Sequence, residues 1–243
     1  MKNKFPWYID PSIDEINEAW SCGILTVDAN VLLDLYRYHK ITRQSIMESI
    51  ENYSGDKWIS YQTADEFLRN RRAVIANSKR YFENASKLIS PLTSYVADTR
   101  QKLKDNRLLG DEIMQKLIND INSIIKDYES TIENTKNEYY GFVENDEILK
   151  RVMSIFGVGD DFSEEHKLLA LEEGKRRVEN KIPPGYMDVD KGGERPYGDY
   201  YMWLQILNKS KADKKPIVLI TSEEKEDWWY ITSGLTIGQD KSL

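Results

Sequence analysis

Four carboxylates stand where predicted strands end or predicted helices begin, far apart along the chain: Asp28, Glu66, Asp199 and Glu223. In an open parallel sheet, ligands bind outside the carboxyl ends of the strands, so we expect these acids to meet at one sheet edge. Like charges at short range raise each other's pKa and oppose folding. A hard divalent cation, Mg²⁺ or Mn²⁺, removes that cost because it binds carboxylate oxygens. Such ions, singly or in pairs, can activate water and neutralise the leaving oxygen of a phosphodiester.

The acids of the chain differ in how strongly their position indicates function. Asp28 is the strongest candidate, because an acid directly after the apolar strand 24–27 and before an Asn-initiated helix is poorly explained by solubility. A lone acid at a strand end or a helix start is usually a cap or a solvated charge. On that ground Asp34, Asp65 and Asp227 are interpreted as surface or first-turn acids. Asp188, in a loop interrupted by Pro and Gly, is a candidate to assist the site.

A run of basic residues follows Glu66. Residues 67–80 contain no acid and five basic side chains, Arg69, Arg71, Arg72, Lys79 and Arg80. Basic residues beside an acidic pocket suit an enzyme that binds a phosphodiester backbone. We therefore predict that Arg69, Arg71 and Arg72 contact nucleic acid, the alternative being an ordinary solvated helix face.

Composition excludes several other classes of function. The chain has 243 residues, with 34 Lys and Arg against 41 Asp and Glu. This acidic balance argues against a simple nucleic-acid coat, which needs clustered basic residues. One cysteine and two histidines exclude a disulfide framework and argue against structural zinc. Motifs of nucleotide-switch, serine-hydrolase and metalloprotease sites are absent, as is any apolar stretch near the roughly 18–20 residues of a membrane span. We expect a cytoplasmic protein that does not enter a membrane.

Short apolar runs that alternate with helical patterns predict an α/β fold with a parallel sheet and helices on both faces. The predicted strands are 24–27, 58–61 and 216–220. Residues 71–179 are predicted to be a helical insertion into an α/β core of residues 1–70 and 180–243. Its main part is two long antiparallel helices, with Pro91 as a kink or break. In the second helix, apolar spacing predicts one packing seam: Ile113, Leu117, Ile121, Ile124, Tyr128 and Ile132.

The segments around the four acids resemble those of the PIN (PilT N-terminal) nuclease superfamily. In that superfamily an apolar strand ends in Asp-x-Asn, like Thr26-Val27-Asp28-Ala29-Asn30. The second motif is similar to residues 61–67 around Glu66, the third to residues 197–203 around Asp199, and the last strand with its Thr-x-acid turn to residues 217–229. The fit is closest to larger bacterial PIN-like proteins. These carry a long helical insertion and a loop like Pro183-Pro184-Gly185-Tyr186.

This resemblance implies a three-layer α/β/α fold with a short, mostly parallel central sheet, and Mg²⁺- or Mn²⁺-dependent cleavage of RNA, less often DNA. It implies that the four acids hold one or two ions, with Asn30, Thr221 and Ser222 as supporting residues. Proteins of this kind often act as toxins or as effectors of antiphage defence. Relatives typically have Thr-Asp-Asp or Thr-x-Asp after the last strand, whereas this chain has Thr221-Ser222-Glu223. The departure predicts a weakly held second ion and low or partner-dependent activity.

Other functions stay open from the sequence alone. A PIN-like scaffold with a degenerate site would be an interaction module that binds a partner through its helical insertion, which Ser222 and the acidic net charge favour. A phosphatase with an Asp nucleophile needs a second acid two residues after Asp28, where this chain has Asn30. The chain stops soon after its last motif, which suits a domain cut from a longer protein. A regulatory protein partner or a missing C-terminal domain would then control it.

Overall fold

The computed structural model, which describes residues 4–5, 8–104, 110–188, 195–241 and 243, contains a sheet built around a short apolar strand. Strand β1 (Ile24–Val27) is buried along its whole length. It lies between β2 (Asp56–Ile59) and β4 (Ile217–Ile220), and β3 (Gly157–Val158) completes the order β3-β2-β1-β4. All three strand pairs are parallel. The predicted α/β class with a parallel sheet is confirmed, although β2 begins at Asp56 rather than Trp58.

Helices and a hairpin complete the described elements. The helices are α1 (Ile13–Cys22), α2 (Ala29–Asp34), α3 (Lys40–Glu51), α4 (Tyr61–Lys104), α5 (Asp111–Glu144), α6 (Glu147–Ile155), α7 (Glu164–Glu179) and α8 (Gly198–Asp213). Strands β5 (Trp229–Thr232) and β6 (Leu235–Gln239) pair antiparallel after β4. The predicted loop 182–197 holds two 3₁₀ turns, Tyr186–Asp188 and Arg195–Tyr197, and its residues 189–194 lie outside the described ones. Over the described residues, each helix lacks either the length or the apolar composition of a membrane span.

The chain divides into two compact units. Residues 1–70 and 151–243 form the sheet unit, and residues 71–150 form the hairpin unit. We predicted that the insertion extends to residue 179, but residues 151–179 group with the sheet. The reason is β3, whose pairing of Gly157 with Trp58 ties this segment to β2.

In the hairpin unit, α4 and α5 run antiparallel. The rings of Phe82 and Tyr139 lie 5.1 Å apart, and Arg100 Nη2 donates to Gln115 Oε1 at 2.8 Å. The partners of the second contact are much closer along the sequence than those of the first. Contact partners that draw closer in sequence toward the connection between two helices are typical of an antiparallel pair. Pro91 does not break α4, which continues through it. Pro91 is exposed, so water can bind the carbonyl group that loses its helical donor.

The packing seam of α5 differs from the predicted one. Met114, Ile118 and Ile125 are buried, whereas four of the predicted seam residues are more than half exposed: Ile113, Leu117, Ile124 and Tyr128. Both rows satisfy the same three- and four-residue spacing, because a helix this rich in isoleucine offers two adjacent apolar faces. Spacing alone did not distinguish the face that packs.

The part of the sheet unit that positions the acids rests on aromatic packing. Met202 and Ile206 of α8 are buried with Trp228, and the rings of Trp203 and Trp228 meet edge to face at 5.9 Å. At the start of α4, the buried ring of Phe67 lies 6.2 Å from that of Tyr36. Each helix that carries a predicted site acid is therefore anchored by a large side chain within a few residues of that acid.

Candidate active site

The first acid is placed by the pairing of the two central strands. Val27 of β1 lies beside Ile220 of β4, and the N–H of Asp28 donates to the carbonyl oxygen of Ile220 at 2.9 Å. Asp28 and Thr221 thus follow directly from paired residues, and Thr221 Oγ1 donates to Asp28 Oδ2 at 3.0 Å. Asn30 Nδ2 donates to the same oxygen at 3.4 Å. Two neutral donors therefore hold one oxygen of this carboxylate.

Asp28 is only 7 % exposed. Burial raises the pKa of its carboxyl group, the Thr221 hydrogen bond and nearby backbone N–H groups lower it, and the charge of Glu223 raises it again. The net pKa is raised, so the ionised form is disfavoured relative to a carboxylate in water. A nearby cation would stabilise that ionised form.

Asp199, in the first turn of α8, is held between a loop and a tryptophan. Trp228 Nε1 donates to Asp199 Oδ2 at 3.2 Å. On the other side lies Gly185, whose φ of +89° is a left-handed conformation. A Cβ at Gly185 would stand 2.9 Å from Asp199 Cβ, so only glycine fits this close approach. The Pro183-Pro184-Gly185 loop therefore packs directly against the acid.

The charge of Asp199 is strongly coupled to its neighbours. Burial raises the pKa of this carboxyl group to about 7, with further increases from the charges of Asp188 and Asp28. The Trp228 hydrogen bond and the charge of Lys225 oppose the rise. The charges of Asp28 and Asp188 both act on Asp199, so these two acids lie near Asp199 although they are distant from it along the chain.

The turn after β4 carries a fourth acid, Glu223, and a basic residue, Lys225, that pairs with it. Glu223 Oε1 accepts from the backbone N–H groups of Glu224 and Lys225 at 2.9 and 3.1 Å. Lys225 Nζ lies 3.0 Å from Glu223 Oε2 and 3.1 Å from Asp188 Oδ1. Burial lowers the pKa of the Lys225 ammonium, but these two ion pairs and the charge of Asp199 raise it to a net value above its ordinary range.

Glu66 reaches the same region from α4. A Cβ at Gly198, the residue before Asp199, would stand 3.8 Å from Glu66 Oε2 and 3.2 Å from Gln62 Nε2. One turn earlier on α4, the N–H of Gln62 donates to Gln205 Oε1 at 3.0 Å, which ties the start of α4 to α8. The Glu66 carboxylate therefore lies beside the first turn of α8.

The structure gives different surroundings to the predicted supporting residue Ser222 and to the three arginines predicted to contact nucleic acid. Ser222 is exposed and stays a predicted supporting residue. Arg69 is exposed and forms an ion pair with Asp65, and Arg72 is exposed on the same helix. Arg71 belongs to the hairpin unit, where its Nε lies 3.4 Å from Asp146 Oδ2 and its side chain is 15 % exposed. Its role there is at least partly structural.

Asp227 was interpreted as a surface acid, and this was wrong. It is fully buried, and its Oδ2 accepts from the N–H of Met187 at 3.0 Å, which holds the turn that presents Asp188. Sequence analysis also missed Lys225 and Trp228, both of which contact site acids. The doublet Trp228-Trp229 was the available signal, since a tryptophan is large enough to pack in the core and still donate a hydrogen bond.

Among the residues that the structure describes, no group of three or more His, Cys, Asp or Glu side chains is arranged to hold a metal ion. The donor type nevertheless suits a hard divalent cation, because every acid offers carboxylate oxygens. Burial and, after it, the charges of Asp188 and Asp28 raise the pKa of Asp199, and a nearby cation would stabilise its ionised form. The residues thus fit Mg²⁺ or Mn²⁺ in chemistry, and Lys225 supplies part of the positive charge.

Comparison with known proteins assigns the fold. A family model described as a PIN-like domain matches residues 24–243, which includes every predicted site residue. No curated protein and no solved structure matches the chain. The family match covers most of the chain, and the parallel sheet agrees with it. The chain therefore belongs to the family of PIN-like domains.

Proposed function

We propose that the chain is a metal-dependent nuclease that hydrolyses phosphodiester bonds, with RNA as the expected substrate and DNA as the second. Membership of the family supports this, because PIN-like domains are usually nucleases. The observation that carries the proposal is Asp199. It lies half-buried near the carboxyl-end edge of β1 and β4, and burial, followed by the charges of Asp188 and Asp28, raises its pKa to about 7. Clusters of this kind concentrate at functional sites.

In this proposal Asp28, Asp199 and Glu66 hold the Mg²⁺ or Mn²⁺, and Asp188 and Glu223 add negative charge beside it. When bound there, the ion would activate a water molecule and neutralise the charge that develops on the leaving oxygen. The chain itself fixes the ligands: Thr221 and Asn30 hold the Asp28 carboxylate, and the Trp228 indole holds that of Asp199. Arg69, three residues after Glu66 on an exposed helix face, contacts substrate phosphates.

The test is cleavage of labelled single-stranded RNA, double-stranded RNA and single-stranded DNA with Mn²⁺, Mg²⁺ or EDTA. Glu66→Gln and Asp65→Asn are a matched pair, because the two acids are adjacent on α4 and Asp65 is exposed. We expect metal-dependent cleavage that Glu66→Gln reduces and Asp65→Asn leaves unchanged. Absence of cleavage with either metal at high protein concentration would contradict the proposal, as would equal effects of the two substitutions.

We propose that this activity serves as a toxin or an antiphage-defence effector, under the control of a protein partner or a further domain. Induced expression in a bacterial host should slow growth and reduce bulk RNA, and Asp28→Asn should abolish both effects at equal protein level. Growth inhibition that persists in Asp28→Asn would exclude a toxic nuclease activity.

A second candidate function is a catalytically inactive interaction module. Two observations favour it: the described residues hold no preformed group of three metal-binding side chains, and α5 exposes the apolar row of Ile113, Leu117, Ile124 and Tyr128. The two functions differ in their response to metal. A nuclease should unfold at a higher temperature when Mn²⁺ is added, whereas a module with a degenerate site should not respond.

A further inference from the structure

Lys225, whose side chain is 36 % exposed, contacts two of the site acids. Its Nζ bridges Asp188 Oδ1 at 3.1 Å and Glu223 Oε2 at 3.0 Å, two acids that are 35 residues apart along the chain. The side chains of Asp188 and Glu223 are only 9 % and 11 % exposed. The ammonium group therefore joins the loop before α8 to the turn after β4.

This arrangement differs from the other ion pairs of the sheet unit. In Arg69–Asp65 and Arg37–Asp34 the two partners lie within one helix or one turn. Lys215–Asp56 and Arg151–Glu51 join distant segments, but their acids are 59 % and 35 % exposed. Exposed pairs of this kind contribute little to stability. Lys225 instead neutralises two nearly buried carboxylates from different segments. Burying such carboxylates without a counter-charge is costly, so this position requires a cation for folding.

We infer that Lys225 takes the place of one cation in the acid cluster, so that the site holds a single divalent ion at the Asp28–Asp199 side. This inference rests on the proposed metal-dependent function. Sites that hold two ions place them about 3.5–4 Å apart within one set of carboxylates. An ammonium group is a compact point charge with three donors, and it already occupies the space between Asp188 and Glu223. The second ion has no pair of carboxylates left to bind.

The test is the number of Mn²⁺ ions bound without substrate, counted by electron paramagnetic resonance of free Mn²⁺ and by titration calorimetry. Lys225→Met removes the charge and keeps the apolar stem, and Lys225→Arg keeps the charge. Lys211→Met removes an exposed lysine of α8 and is the matched control. We expect one ion in the wild type, in Lys225→Arg and in Lys211→Met, and two in Lys225→Met. Asp28→Asn should remove the ion of the wild type.

The outcomes separate this inference from the proposed function. One ion in both the wild type and Lys225→Met overturns the inference and leaves the nuclease proposal intact, and two ions in the wild type do the same. No ion in the wild type and one in Lys225→Met overturns the inferred single ion of the wild type and also contradicts metal-dependent activity of the wild type. No ion in either protein overturns both. If Lys225→Met does not fold, a second ion in the wild type or in Lys225→Arg overturns the inference and one ion in each supports it.

Discussion

The negative charge of the acid cluster is compensated differently in its two halves. Asp28 and Asp199 are held by neutral donors, the hydroxyl group of Thr221 and the indole of Trp228, and the pKa of each carboxyl group is raised, mainly by burial. Asp188 and Glu223 instead share the ammonium group of Lys225. The first half therefore depends on a proton or an external cation to relieve its charge, whereas the second carries a cation that is part of the fold. Metal dependence should concentrate in the first half.

The largest expected effect comes from Asp28→Asn, which removes one charge from the half of the cluster that is held by neutral donors. The substitution should lower cleavage at least about 100-fold, because even residues that only support metal ligands usually contribute 10–100-fold. An asparagine can still accept the Thr221 hydrogen bond, so the orientation of the side chain should persist. The measurement is the initial rate on labelled RNA at saturating Mn²⁺, with Asp65→Asn as the control.

The same variant separates a metal ligand from a structural residue by its stability. Without metal, Asp28→Asn should be as stable as the wild type or more stable, because a buried charge is removed. At 100 times the dissociation constant, Mn²⁺ should stabilise the wild type by about 2.7 kcal/mol and the variant by much less. Thermal unfolding with Mn²⁺ or EDTA measures both quantities. Clear destabilisation of the metal-free variant would identify Asp28 as a structural residue instead.

The next effect is a pH dependence of stability that originates at Asp199. Its folded-state pKa of about 7 exceeds the ordinary 3.8, so between these values the folded protein binds more protons than the unfolded chain. The contribution of this group is therefore fully present below about pH 4, is lost as the pH rises to about 7, and is constant above it. At 1.36 kcal/mol per pKa unit, the change is at most about 4 kcal/mol.

Comparison of the wild type with Asp199→Asn isolates this contribution. In EDTA, the difference in unfolding free energy between the two proteins should change by a few kcal/mol between pH 4 and pH 7. With Mn²⁺ the wild-type loss should shrink, because the ion binds the ionised carboxylate. Parallel pH profiles of the two proteins would show that Asp199 is not the group that titrates.

A smaller effect should follow from moving the loop that packs on Asp199. Gly185 and Gly234 both have positive φ, +89° and +76°, but only Gly185 lies against another side chain. Alanine at either position should cost about 1 kcal/mol for the left-handed backbone. Gly185→Ala should cost about 1–3 kcal/mol more through its clash with Asp199 and should also lower cleavage several-fold. Equal losses of stability and activity in the two variants would show that the close approach is not functional.

The sequence predicted the half of the cluster that sheet geometry alone determines. Asp28 follows β1 and Thr221 follows β4, and pairing of adjacent parallel strands brings such residues together whatever the rest of the chain does. Glu66 and Asp199 could be predicted for a related reason, because each lies in the first turns of a helix that begins near this edge. Periodicity and strand order are sufficient for residues of this kind.

The other half depends on contacts that no local pattern encodes. Lys225 reaches Asp188 across 37 residues, and Asp227 is buried because it accepts from the Met187 backbone in the same loop. In the sequence both lie in a polar turn among three glutamates, which is typical of a solvated segment. The two-residue strand β3 escaped prediction for the same reason, because its place in the sheet depends on β2 rather than on its own sequence.

The smallest expected effect concerns the substrate rather than the acids. Arg69→Gln should raise KM for RNA about two- to fivefold and reduce the salt dependence of binding by about one unit of slope, because one phosphate contact is lost. Stability should change by less than about 0.5 kcal/mol, since the Arg69–Asp65 pair is exposed. Arg37→Gln is the matched control, because Arg37 forms a similar exposed pair with Asp34. If both variants change KM equally, the basic residues act through overall charge and Arg69 does not contact the substrate. If kcat falls while KM is unchanged, Arg69 acts with Glu66 in the reacting site and is not a contact to a remote substrate phosphate.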